Sequence, residues 1–153
     1  MIKRWTGPLL ALLLCMGATA QTVDAKVKAQ AQGFLKRMAA IEAKAKGIEP
    51  MNIPLKERTL AQDKEMVRRI EFLDNLYHKE VLPLTNEVNR AQLPAPLTPV
   101  SEASRSLDSW ISGKLSLQNA GVNNPGLASL KQQEPIKRKA YQEAYAKAQT
   151  AAK

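Results

Sequence analysis

Three stretches of the chain carry apolar residues every three or four positions, and proline- and glycine-rich breaks separate them. That period puts the apolar side chains on one face of a helix, and no stretch shows the two-residue alternation of a half-buried strand. The first stripe is Val27, Ala31, Phe34, Met38, Ile41, Ala45 and Ile48. It predicts a helix from about Val23 to Lys46, with Thr22 as N-cap and Gly47 as a left-handed stop. Pro50 and Pro54 delay the next helix until after Leu55. A seam of about three heptads that includes two alanines suits a helix packed inside its own domain better than a coiled coil.

Thr59 followed by Gln62 is a capping-box pattern and opens the second helix. Its stripe is Met66, Ile70, Leu73, Tyr77, Val81, Leu84 and Val88, and it stays in phase across Pro83. Proline removes an amide donor and crowds the preceding turn, so the spacing predicts a kinked continuation to Val88. Leu93 to Pro99 holds three prolines and reads as an extended, stiff bridge. Thr98-Pro99 opens a third helix that ends near Ala120, with Gly121 as its stop. Val100, Ala103, Leu107, Trp110, Ile111, Leu115 and Leu117 share its apolar arc, and Lys114 falls inside that arc. A long stem lets such a lysine lie over apolar surface and hold its ammonium in water. On the opposite side, Ser106, Ser109, Gly113, Ser116 and Ala120 form a strip of small residues that reads as ordinary solvated surface.

Beyond the Asn123-Asn124-Pro125-Gly126 turn, a short helix is expected from about Pro135 to Ala148, with Tyr141, Tyr145 and Ala148 as its stripe. With so few large anchors, this end reads as loosely docked. The fold class is therefore all-α: a small helical hairpin or three-helix bundle followed by a short, basic, helix-capable C-terminal segment. Residues 21–122 form the helical domain, with the proline-rich connector at 93–99, and residues 123–153 the basic segment.

The first twenty residues read as a cleavable export signal. Lys3 and Arg4 precede an apolar run from Leu9 to Met16, and Ala18-Thr19-Ala20 places cleavage before Gln21. The run is too short, and too interrupted by glycine and proline, for a span of about 20 apolar residues. Leu14 stands where a lipoprotein signal wants a small residue before its cysteine, which disfavours lipidation of Cys15. These features point to the bacterial periplasm. Secretion, or a membrane tether through Cys15 or an uncleaved signal, are the alternatives.

Removing Lys3 and Arg4 from the 23 basic residues leaves 21 against 14 acidic ones, a net charge of +7 for the exported chain. Cys15 is the only cysteine and lies in the signal, which excludes disulfides and thiol chemistry after cleavage. One histidine, His78, excludes a multi-histidine metal site, and Asp74 one turn earlier makes it half of a local surface pair. No phosphate loop, metalloprotease helix or nucleophile–base pairing is present, so neither a cofactor nor a metal is expected and the chain reads as non-enzymatic.

Two surfaces remain. Phe72 and Leu76, one turn apart, point away from the stripe of their own helix, with Arg69 and Lys79 beside them. The plainer reading is a central second helix whose back is covered by the fourth element or the Pro50–Pro54 loop; as a functional reading, an aromatic anchor with a charged rim suits contact with another envelope protein. Lys137, Arg138, Lys139 and Lys147 instead suggest attraction to an anionic lipid or polysaccharide. An envelope address argues against nucleic acid, and a homo-oligomer is compatible with the pattern. The leading expectation is an adaptor, secretion accessory or chaperone-like factor.

Overall fold

The computed structural model describes residues 23–153. The expected export signal with Cys15, the expected cleavage before Gln21 and the cap assigned to Thr22 lie outside the described residues.

The elements are α1 (Ala25–Lys46), a 3-10 turn (Leu55–Glu57), α2 (Leu60–Leu76), a π-turn (Tyr77–Val81), α3 (Leu82–Arg90), a second 3-10 turn (Ala95–Leu97), α4 (Thr98–Asn119) and α5 (Leu127–Ala151). No strand occurs among the described residues. The segments α2, π-turn and α3 join end to end, so the described residues make four rods. Cross-links set their directions. Arg37 pairs with Glu87 and Lys44 with Glu80, so α1 runs antiparallel to the second rod. Ser104 donates to Thr85 at 3.2 Å and Tyr77 faces Asp108, which sets α4 antiparallel to that rod. Trp110 reaches Glu134 and stacks on Tyr141, while Gly113 abuts Lys137, so α5 folds back along α4. Gln32 to the Ala152 carbonyl (2.9 Å) and Tyr145 to the Leu35 carbonyl (3.2 Å) close the ring antiparallel to α1. The result is an all-α bundle of four helical rods.

The stripes meet in one core. Phe34, Met38 and Ile41 of α1, Leu84 and Val88 of α3, Leu107, Trp110 and Ile111 of α4, and Tyr141 and Ala148 of α5 are all buried in it. Each large apolar side chain fully removed from water contributes roughly 1.5–3 kcal/mol.

Local chemistry explains most boundaries. Asp24 caps α1, its carboxylate accepting the Lys26 amide at 2.6 Å. Gly47 is right-handed (φ −72), not the expected left-handed stop. The end of α1 is closed differently. The amides of Gly47 and Ile48 and the ammonium of Lys114 all donate to the Ala45 carbonyl. The capping box of Thr59 and Gln62 is present at α2. Ahead of Pro83 the backbone widens into the π-turn, in which the Leu82 amide donates to the Tyr77 carbonyl five residues back. One extra residue is absorbed there, which keeps Leu84 and Val88 in phase with the core. In the proline connector, Pro94 is extended, but Ala95–Leu97 coil into the 3-10 turn and bury Leu97. Gln92 takes a positive φ of 44, a conformation that turns the chain sharply between α3 and α4.

The C-terminal segment corrects the sequence reading. α5 starts two turns before Pro135 and spans 25 residues, with Pro135 inside it. Leu127 and Leu130 pack on Leu117 and Ala120, fixing those first turns despite the missing amide. Far from being loosely docked, α5 contributes Tyr141 (0 % exposed) and Ala148 to the core, and its C-cap Ala152 is buried there too.

Candidate protein-binding groove

α2 lies on the outside of the bundle, and its 100° advance per residue decides which side chains face inward. Met66, Leu73 and Leu76 are buried. This separates the pair singled out in the sequence. Leu76 is 2 % exposed and belongs to the main core, so it is not a surface anchor. The reason is tertiary: α1 and α4 both flank the rod and together cover a wider arc than one partner helix would. Phe72 does stay on the surface, 37 % exposed. It lines a groove of about 240 Å³ together with Lys44, Asn75, Leu76, Lys79 and Glu80.

The walls of this groove come from two rods. Lys44 of α1 donates to both carboxylate oxygens of Glu80, at 2.7 and 2.6 Å, and this bridge forms one wall. Glu80 and Lys79 sit in the π-turn, so the same backbone widening that accommodates Pro83 presents them beside Phe72. Lys79 is exposed. Arg69 is committed elsewhere: its guanidinium donates to Glu65 at 2.7 Å and to the Glu49 carbonyl, tying α2 to the loop after α1. Arg68 and Arg69 together hold the Glu65 carboxyl down at about 2, through their hydrogen bonds. His78 lies 3.5 Å from Asp74, both well exposed, as the local surface pair its spacing suggested.

Lys137, Arg138, Lys139 and Lys147 of α5 do not form a patch. Lys137 lies across Gly113 of α4, its Cδ and Nζ 3.1 and 3.2 Å from where a Cβ would stand. The small residue on α4 thus serves close passage of this side chain. Arg138 is engaged with Glu134 at 3.0 Å. Lys139 stands 3.9 Å from Glu143 on an open face, and Lys147 is exposed. Consecutive positions on a helix diverge by about 100° each, which is why a run in sequence becomes a ring around α5.

A polar cluster inside the bundle escaped the sequence reading. Lys114 is fully buried, contrary to the expected water-reaching lysine, and its ammonium sits 2.9 Å from the Ala45 carbonyl. There it meets the negative end of α1. The same ammonium lies 5.8 Å from the Trp110 ring centroid, and Arg138 lies 5.9 Å from it. The Trp110 indole donates to Glu134 at 2.8 Å, and Tyr141 stacks on the indole at 5.5 Å. Burial lowers the Lys114 pKa, Glu134 and Glu49 oppose that shift, and Arg138 adds to it. Burial likewise pushes the Tyr141 phenol far above its ordinary range. Nearby, Gln118 exchanges hydrogen bonds with the Met51 amide (3.0 Å) and carbonyl (3.4 Å), and Asn52 donates to the Leu117 and Ala120 carbonyls. These contacts stitch the loop after α1 to the end of α4. In the sequence, only the spacing of four between Glu134 and Arg138 signals this cluster, because its other contacts join residues on different helices.

Among the described residues, no group of three or more His, Cys, Asp or Glu is arranged to hold a metal ion, and no helix is long and apolar enough to cross a membrane. No family model, curated protein or solved structure matches the chain.

Proposed function

We propose that this chain is a non-enzymatic, exported helical protein that works by binding another protein of the bacterial envelope. The observation that carries the reading is Phe72: an exposed aromatic over an apolar floor, flanked by the Lys44–Glu80 bridge and by Lys79. Aromatic anchors ringed by charge dominate the energetics of protein contacts. The periplasmic address rests on the signal-like start of the sequence. The competing reading, an anionic-surface contact through α5, draws less support, because Lys137 and Arg138 are occupied within the fold.

Capture from envelope extract by the wild-type protein and by Phe72→Asp tests the proposal. A partner held through apolar anchoring stays bound in moderate salt and is lost on Phe72→Asp, while neutralising Lys139 and Lys147 leaves it in place. Retention of every partner by a folded Phe72→Asp protein overturns the groove. Loss only on neutralising Lys139 and Lys147 transfers the function to the basic surface.

A further inference from the structure

A second face of α2, separate from the Phe72 groove, carries its own pattern. Leu60, Lys64, Val67 and Glu71 follow the spacing i, i+4, i+7, i+11 and fall within about 60° of one another around the helix. All four are exposed, Leu60 by 72 % and Val67 by 54 %. They point away from Met66 and Leu73, which face the core. Neither Lys64 nor Glu71 has an ion-pair partner among the described residues, whereas neighbouring Glu65 pairs with both Arg68 and Arg69.

We infer that this face docks a second copy of the chain, α2 against α2, antiparallel about a two-fold axis beside Val67. The charges choose this occupant. Lys64 and Glu71 are two turns apart, about 10 Å, and their midpoint lies beside Val67. A two-fold axis there brings Lys64 of each copy opposite Glu71 of the other and sets the two Val67 side chains together. Lys64 and Glu71 lie toward the same flank of the stripe, and in an antiparallel helix pair like flanks meet, so both ion pairs form at once. The contact is therefore self-complementary, as a two-fold interface must be. Arg68 also approaches the axis, but Glu65 neutralises it through two hydrogen bonds of 2.7 and 2.8 Å. Leu60 falls opposite the exposed Asn75 of the other copy. An anionic bilayer fits this face less well, because Glu71 stands in the middle of it. The net positive charge of the chain opposes association at long range, but salt screens it beyond about 8 Å. One helix pair is a small contact, so a weak dimer is expected. Phe72 points to a different side of α2, and pairing reaches only the Asn75 edge of its groove.

Sedimentation of the purified exported chain between about 1 μM and about 1 mM, the range in which so small a contact operates, tests this. The average mass should rise from monomer toward dimer. Lys64→Glu alone and Glu71→Lys alone should each weaken association by about tenfold or more, since each turns both ion pairs repulsive. Mixing the two variants should restore it, because every cross-copy pair is then opposite in sign. Circular dichroism checks that each variant is folded. A wild type that stays monomeric throughout overturns the inference. So does association that is unchanged in the single variants, or a mixture that associates no better than its components.

Discussion

The α4–α5 seam and the first half of α2 are both helical, yet they are held in opposite ways. In the seam, Trp110, Tyr141, Lys114 and Glu134 are nearly or wholly removed from water and touch one another. In α2 up to Phe72 only Met66 is buried; Leu60 and Val67 face solvent, and Glu65 pairs with Arg68 and Arg69 along the surface. Buried contacts in a low-dielectric interior are expensive to break and fix one geometry, whereas exposed ion pairs add little and leave a face free. The seam is thus fixed from its interior, and the first half of α2 leaves a face open to solvent.

Trp110→Ala attacks the seam most directly. It empties the centre of the core and should lower the unfolding free energy by about 3–5 kcal/mol, read from denaturant midpoints. A loss below about 1 kcal/mol would erase the contrast with α2.

Next comes Glu134→Leu. It strands the Trp110 indole N–H, releases Arg138 and removes the carboxylate that most favours the Lys114 ammonium. A destabilisation of about 2–3 kcal/mol is expected. Trp110 emission should change with it, giving a second readout in which an unaltered spectrum would contradict the contact.

The pH response of the seam is subtler. Burial sets the folded pKa of Lys114 below its ordinary 10.5. Below the folded value both states are protonated and the burial penalty is present in full. Between the folded value and 10.5 the unfolded chain holds more protons, so this lysine's contribution to stability rises with pH across that window. Tyr77, Tyr141 and Tyr145 act in the other direction above pH 10, because their folded values are raised. Comparison with Lys114→Met removes the shared tyrosine effect: wild type should gain on the variant as pH approaches 10.5. A difference that is flat with pH would show that the ammonium is solvated after all.

The smallest effect belongs to α2. Leu60→Ala and Val67→Ala should each shift stability by no more than about 0.5 kcal/mol at concentrations where the chain is monomeric. A loss near that of Trp110→Ala would place these residues in a core and remove α2 as a free surface.

Where structure follows from neighbours in sequence, reading the chain worked. The stripe of α1, the Thr59–Gln62 cap and the in-phase passage through Pro83 each depend on residues within a turn or two of one another. The candidate site was legible only in part. Phe72 is exposed as its spacing suggested, but Leu76 is not, because its environment depends on how many rods surround α2. α5 was misjudged for the same reason. Its anchors are alanines and tyrosines, whose burial depends on the shape of the surface they meet, and Pro135 mimics a helix start when the preceding turns have no visible reason to coil.

By itself, then, the sequence determined that the chain is helical, where three of the rods run and which face of each is apolar, because helix period and capping are local properties of the backbone. Only the tertiary structure decided that α5 completes the bundle, that Lys114 caps α1 from inside the core and that Leu76 is covered while Phe72 is not. Each of those outcomes turns on a contact between residues far apart in the chain, and burial is a property of the assembled surface rather than of any residue within it.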